Sequence, residues 1–196
     1  MDPIKNYLSS KLHFRLLRSV ALNAELEFNK MNTQLFESDV QSYMDDFLRL
    51  NLKNTAYYPQ REAFGKTDVV IIQNSRGSNG RKELKPVVLF EIKTAFKKHE
   101  KFSNKKFIEL IKKDFSKLKQ HKQPGLKAFF VLVFRTSKVP QAANDDVVFN
   151  VIHRKLANQI SRNHISVGTE GGNVIVRPSY KCIVDNTTVL SWEILR

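Results

Sequence analysis

Residues 65–73, GKTDVVIIQ, and residues 85–95, KPVVLFEIKTA, decide how this chain is read. Each is a short apolar run with ionisable groups inside it: Asp68 in the first, Glu91 and Lys93 in the second. An ionised group in an apolar setting is costly unless it is paired or bound to a metal ion. Side chains alternate along a strand, so Val87, Leu89, Glu91 and Lys93 share one face, and Val88, Phe90, Ile92 and Thr94 the other. Both faces are otherwise apolar, which predicts a central strand with a charged tip. Two carboxylates brought together at neighbouring strand ends repel unless a divalent cation lies between them, and an adjacent ammonium helps to hold an attacking water. The pattern predicts a magnesium site, open to manganese as well, on Asp68 and Glu91 with Lys93 beside it.

The chain has 196 residues, a formal net charge of +14 and a pI near 9.9. That length predicts a single domain with a proper core: a helical extension over 1–32, a core over 33–135, and a closing helix and strands over 136–196. The charge favours a polyanionic partner, most simply nucleic acid, over a merely soluble basic protein. A single cysteine, Cys182, leaves no internal disulfide and argues against a cysteine-based zinc site, which fits a cytoplasmic location. No apolar run approaches the ~20 residues that span a bilayer, and the N-terminus lacks the apolar stretch of a secretory signal, so no membrane is expected. Residues 3–24 are basic and free of acids. They read as a transit peptide, a membrane-surface helix or a packed helix. Asp2 as cap, Pro3 at the first position, and Ile4, Leu8, Leu12, Leu16 and Val20 at helical spacing favour the packed helix.

A polar break over Asn29–Gln34 precedes a second helix that begins near Thr33–Ser38, with Val40, Met44 or Tyr43, Phe47 and Leu48 as its apolar face. Glu37 lies either at the edge of that stripe or in the first turn as a complement to the helix dipole. A strand over Ala56–Ala63 follows, and Pro59 makes it an edge or bulged strand. Between the two charged strands, Gly77 and Asn79-Gly80 mark a hairpin turn. It carries Arg76, Arg81, Lys82 and Lys85, either a tip that reaches a phosphate backbone or a solvated loop. The second charged strand runs into a lysine-rich turn with Lys97 and Lys98. A helix then starts at Ser103 or Asn104, buries Phe107, Leu110, Ile111, Phe115 and Leu118, and stops at Pro124-Gly125. Lys113, Lys117 and Gln120 share a face beside that stripe, which either binds phosphate near the metal site or is simply solvated. Ala128–Phe134 reads as a buried strand, parallel to an earlier one because a helix connects them. Asn144 can cap a helix through Val148, Ile152, Leu156 and Ile160, and strands over Asn173–Val184 and Thr188–Leu195, joined at Asp185-Asn186, close the chain.

Other chemistry finds no support. There is no GxxxxGK phosphate loop, no strand-linked GxGxxG and no GxSxG elbow. His13, His99, His121, His153 and His164 show no metal-binding spacing and are expected at the surface or on helix faces. Thr169–Gly172 reads as a Gly-rich turn, not a phosphate cradle.

The order of a helix with an acid, a strand with Asp, a hairpin, a strand ending in Glu-x-Lys, an amphipathic helix and a buried strand resembles the PD-(D/E)XK nuclease superfamily, the fold of many restriction enzymes. TDVVI around Asp68 looks like the first half of the motif, and FEIK, with Glu91 and Lys93, like the second. The resemblance covers roughly Glu37 to Phe134. Thr67 stands where the family name has Pro, and no QxxxY pattern follows the triad. The resemblance implies an α/β fold with a restriction-endonuclease-like core, αβββαβ, its central mixed sheet flanked by helices. It also implies metal-dependent hydrolysis of a phosphodiester, most simply by a DNA endonuclease. Asp68 and Glu91, with the carbonyl of Ile92, would bind Mg²⁺ or Mn²⁺. Lys93 would orient or deprotonate the attacking water, and Glu37 would hold a second metal or a metal-bound water. The basic hairpin and the lysines after the triad would grip duplex DNA, and cutting both strands would call for a homodimer or a partner subunit. Two other readings compete: the same fold as a non-catalytic DNA-binding subunit, and a structural protein in which Glu91 and Lys93 form a simple ion pair.

Overall fold

A computed structural model describes residues 11–31, 35–77, 79–95, 104–121, 123–135, 160–161 and 164–195. The Asp2 and Pro3 positions, Lys97, Lys98 and residues 144–159 of the expected fourth helix lie outside the described residues.

Two helices open the described chain, α1 (Lys11–Met31) and α2 (Glu37–Leu52). Strands β1 (Tyr57–Ala63), β2 (Thr67–Arg76) and β3 (Lys82–Ala95) follow, then helix α3 (Asn104–Gln120) and strand β4 (Lys127–Arg135). Four more strands complete it: β5 (Ile160–Ser161), β6 (His164–Thr169), β7 (Gly172–Val184) and β8 (Thr187–Leu195). All eight strands form one sheet in the order β1-β2-β3-β4-β8-β7-β6-β5. Only β3 and β4 run parallel, joined by the α3 crossover that a parallel pair requires; the other neighbours are antiparallel. The protein is therefore an α/β protein with a mixed sheet covered by helices on both faces.

The alternation of β3 assigns its residues to the two cores. Val88, Phe90 and Ile92 join Val69 and Ile71 beneath α1 and α2, which contribute Leu12, Leu16, Val20, Val40, Met44 and Leu48. Leu89 joins Val70, Phe130 and Leu132 beneath α3, which contributes Ile111, Phe115 and Leu118. Val87 departs from the expected face. The β2–β3 register slips between Ile71 and Ile72, so Val87 is an extra residue on β3 and packs with the α1/α2 core instead of beside Leu89.

Three further expectations are corrected. Helix α1 continues to Met31, through the polar break expected at Asn29. Burial of Leu16, Leu17, Val20, Ala21 and Ala24 against the sheet anchors it, and the helix propagates from that anchored part. Ile160, expected to end a helix, pairs in β5 with Ile165. Strand β6 was not anticipated: among its residues with described burial only Val167 is buried, so it lacks the apolar signature of an interior strand. His13, expected on a surface or helix face, lies on the inner face of α1 and is 1% exposed. Its Nε2 lies 2.9 Å from the Ser191 hydroxyl, and its ring packs on Phe129 and Tyr180 with centroids 4.4 and 5.0 Å apart.

Candidate active site

The ladder between β2 and β3 pairs Val69 with Phe90 and goes no further, which leaves Asp68 and Glu91 opposite each other at the next step. There a side chain replaces the ladder bond: the Ile92 N–H donates to Asp68 Oδ2 at 2.7 Å. The turn before Asp68 is held in an unusual shape, with Glu62, Phe64, Gly65 and Lys66 all at positive φ, of 50°, 47°, 80° and 64°. Three of these are not glycine, so the turn is strained and depends on its anchors. Thr67 Oγ1 donates to the Phe64 carbonyl at 3.1 Å, and the Lys117 ammonium to the Lys66 carbonyl at 2.6 Å.

Two helices close over this strand end. The Phe36 N–H donates to Asp39 Oδ2 at 2.8 Å, fixing the start of α2. Glu37 and Gln41 stand one turn apart there, as i and i+4 do. Gln41 Nε2 donates to Asp68 Oδ1 at 3.0 Å, while Arg61 holds the other end of the same amide at 3.2 Å. Glu37 Oε2 accepts from Lys93 Nζ at 3.3 Å. From the opposite face α3 supplies Asp114 and Lys117. Lys93 Nζ lies 3.3 Å from Asp114 Oδ2, and Lys117 Nζ lies 2.5 Å from Glu91 Oε1. Both are charge-assisted contacts, Lys117 with Glu91 and Lys93 with Asp114, made where the carboxylate oxygens are buried.

The site thus gathers four carboxylates, of Glu37, Asp68, Glu91 and Asp114, around two ammonium groups, those of Lys93 and Lys117. Burial raises the Glu91 pKa from 4.5 to about 7, Asp68 and Asp114 adding to the rise while Lys117 opposes it. Burial also raises Asp68, partly offset by the Ile92 N–H and by Lys93, and it raises Asp114 against the pull of Lys93. At Lys93 burial works against the charge, but Asp114, Glu37 and Asp68 outweigh it and the pKa moves up. Lys93 is therefore a stable ammonium. Among the described residues, the four carboxylates outnumber the two ammonium groups, and three of those acids have raised pKa values.

Asp68, Glu91, Lys93 and Glu37 thus lie together, with the main chain of Ile92 turned into the same gap. Asp114 and Gln41 belong to this constellation and were not singled out in the sequence. Asp114 was concealed by its setting in IKKDFSKL, where an acid among lysines reads as surface. Lys117, expected on a phosphate-binding face, instead contacts Glu91; Lys113 and Gln120 are exposed on the same helix. The hairpin residues Arg76, Arg81, Lys82 and Lys85 are exposed but stand at the other end of β2 and β3. Arg76 follows Asp68 by eight positions on one strand, about 26 Å at ~3.3 Å per residue. The structure does not bring the basic hairpin to the carboxylates.

As positioned, no group of three His, Cys, Asp or Glu side chains among the described residues forms a ready metal cage. The donor chemistry nevertheless fits a hard divalent cation: Glu37, Asp68, Glu91 and Asp114 offer carboxylate oxygens at one end of β2 and β3. No family model, curated protein or solved structure matches the chain. Among the described residues no helix is long and apolar enough to cross a membrane.

Proposed function

We propose that the protein is a metal-dependent nuclease of restriction-endonuclease-like fold that hydrolyses phosphodiester bonds in nucleic acid, DNA in the first instance. The observation that carries the reading is the meeting of Asp68 and Glu91 where the β2–β3 ladder stops, with Lys93 two residues on and the Asp68 carboxylate on the Ile92 main chain. The element order from α2 to β4, with β3 and β4 parallel around α3, agrees with the αβββαβ core that the resemblance implies.

In this reading Asp68 and Glu91, with the carbonyl of Ile92, hold Mg²⁺ or Mn²⁺, and Glu37 and Asp114 complete the negative surround. Bound there, the ion supplies Lewis-acid polarisation of the phosphate and a more acidic water. Lys93, held as an ammonium by Glu37 and Asp114, orients the attacking water and offsets charge that develops on the phosphate oxygens. Its raised pKa makes it a charge stabiliser and not a base. Gln41 fixes the rotamer of Asp68, and Arg61 fixes Gln41.

Incubation with circular duplex DNA and Mg²⁺ tests the activity. Nicked or linear product is expected from the native chain, and none from Glu91→Gln or Lys93→Ala; a variant that still cuts at the native rate sinks the assignment. The Lys117–Glu91 contact favours one second reading, a DNA-binding subunit whose acids are neutralised internally. That reading predicts no rise in melting temperature with Mn²⁺, whereas a metal site predicts about 2.7 kcal/mol of stabilisation at a hundredfold excess over Kd.

A further inference from the structure

A groove of about 660 Å³ runs between α3 and the turn that joins β6 to β7. One wall is the outer face of α3, with Lys112, Lys113, Ser116 and Lys117; the other is the Gly168–Gly171 segment. None of its ten lining residues has an apolar side chain. Sites for small organic ligands are mostly apolar with a few polar contacts, and peptide grooves need apolar pockets for anchors. This groove has neither. It also lacks aromatic rings, so it offers bases nothing to stack on. What it presents is suited to phosphate: the ammonium groups of Lys112 and Lys113, hydroxyl and amide groups, and a turn of glycines that lets a ligand approach the main chain, with the carboxylates of Glu109 and Glu170 in the same lining and the Lys117 ammonium already on Glu91 and the Lys66 carbonyl.

Its position is as telling as its lining. Lys117 lines the groove and also contacts Glu91, so the groove and the carboxylate cluster are neighbours that share this one side chain. Ser116 Oγ, buried beneath the facing turn, has no hydrogen-bond partner. A Cβ built on Gly171 would rest in ordinary van der Waals contact with that oxygen, at 3.8 Å, so the turn lies close against α3 here and accepts a side chain without a clash.

We propose that this groove holds the phosphodiester backbone of one nucleic-acid strand and leads it past Lys117 to the carboxylate cluster. The route to the cluster rests on the nuclease reading; the binding of a strand in the groove does not. Recognition is of phosphate and independent of sequence, and Lys117 is the residue shared by groove and site.

Fluorescence anisotropy of a labelled single-stranded DNA of about 12 nucleotides, in EDTA so that nothing is cut, tests the proposal. Two variants disturb the groove by unrelated means. Lys112→Glu/Lys113→Glu reverses its charge, and Gly171→Phe adds a ring to the wall formed by the turn. The first is expected to weaken binding by about tenfold or more and to lower the salt slope by about one to two phosphates. The second is expected to weaken binding by a similar factor with the salt slope unchanged, and both should keep the native melting temperature. Affinities within about twofold of native in both variants would overturn the proposal. If those variants bind normally while Glu91→Gln abolishes cleavage, the groove assignment falls and the nuclease reading stands. If they lose binding while the native chain never cuts with Mg²⁺ or Mn²⁺, the groove stands and the nuclease reading falls.

Discussion

Beneath α1, buried polar groups are matched one to one; beneath α3 they are not. His13 meets the hydroxyl of Ser191, and Glu25, 4% exposed, accepts from the hydroxyl of Thr187 at 2.7 Å. Each pair joins α1 to β8 and is buried. At the β2–β3 end, Glu91 is 2% exposed, yet it faces Asp68 and Asp114 and, among the described residues, pairs with Lys117 alone. A buried polar pair that is satisfied fixes packing, whereas a buried cluster with excess like charge persists only where something else is served. The difference separates a device for docking a helix from the site at which we propose that a cation binds.

The largest effect expected from breaking this contrast is chemical. Glu91→Gln keeps the shape of the side chain and removes its charge, so cleavage of circular DNA with Mg²⁺ should fall by at least about 10²–10⁴-fold, to background. Stability should respond in the opposite sense at the two places. His13→Ala opens a cavity among Phe90, Phe129 and Tyr180 and orphans the Ser191 hydroxyl, which should cost about 3 kcal/mol by urea denaturation at neutral pH. Glu91→Gln removes repulsion from Asp68 and Asp114, so in metal-free buffer it should lie within about 0.5 kcal/mol of native or above it. A loss as large as that of His13→Ala would show that the cluster is structural glue like the pairs beneath α1.

Acidification sharpens the same contrast. The Glu91 pKa is raised from 4.5 to about 7, so between those values the folded state binds a proton that the unfolded chain does not. Its contribution to stability is fully present below 4.5 and lost as pH rises through about 7. His13 is lowered from 6.5 to about 3, by burial first and Lys127 second. There the unfolded chain binds the extra proton, so the contribution of His13 is present above 6.5 and lost as pH falls through about 3. From pH 6.5 down to 5 the two trends oppose, each limited to about 1.4 kcal/mol per pH unit. Asp68 and Asp114, also raised, add to the Glu91 trend. Denaturation of the metal-free native chain over this range should therefore depend on pH less steeply than either variant does. Glu91→Gln should lose stability on acidification relative to native, and His13→Phe should gain it. Parallel slopes in all three would mean that neither group is buried in the protonation state assigned to it.

The parts that could be read from sequence are those that depend on local pattern. Runs such as VVII and VVLF mark interior strands, the spacing of Val40, Met44 and Leu48 marks α2, and charges inside apolar runs mark Asp68, Glu91 and Lys93. Asp114 and Gln41 could not be read this way, because their burial comes from where α3 and α2 cross the sheet and not from their own neighbours in sequence. The same holds for His13, a polar residue in a helix whose partner, Ser191, is 178 positions away. Strand β6 pairs at the sheet margin and needs little apolar character. The remoteness of the basic hairpin, by contrast, could have been counted from the strand length between Asp68 and Arg76.

That remoteness gives the smallest expected effect. With the tip about 26 Å from Asp68, under the proposed function its cations would contribute to affinity through a separate stretch of phosphate and would not touch the scissile one. Arg81→Glu/Lys82→Glu should weaken binding of a long duplex by only a few-fold at physiological salt, where the screening length is about 8 Å. Its single-turnover cleavage rate at saturating protein should stay within about twofold of native, because a contact that leaves the transition state untouched changes binding and not the chemical step. A rate loss approaching that of Glu91→Gln would mean that the hairpin folds over the carboxylate end when nucleic acid binds, and the two ends of β2 and β3 would then work as one surface.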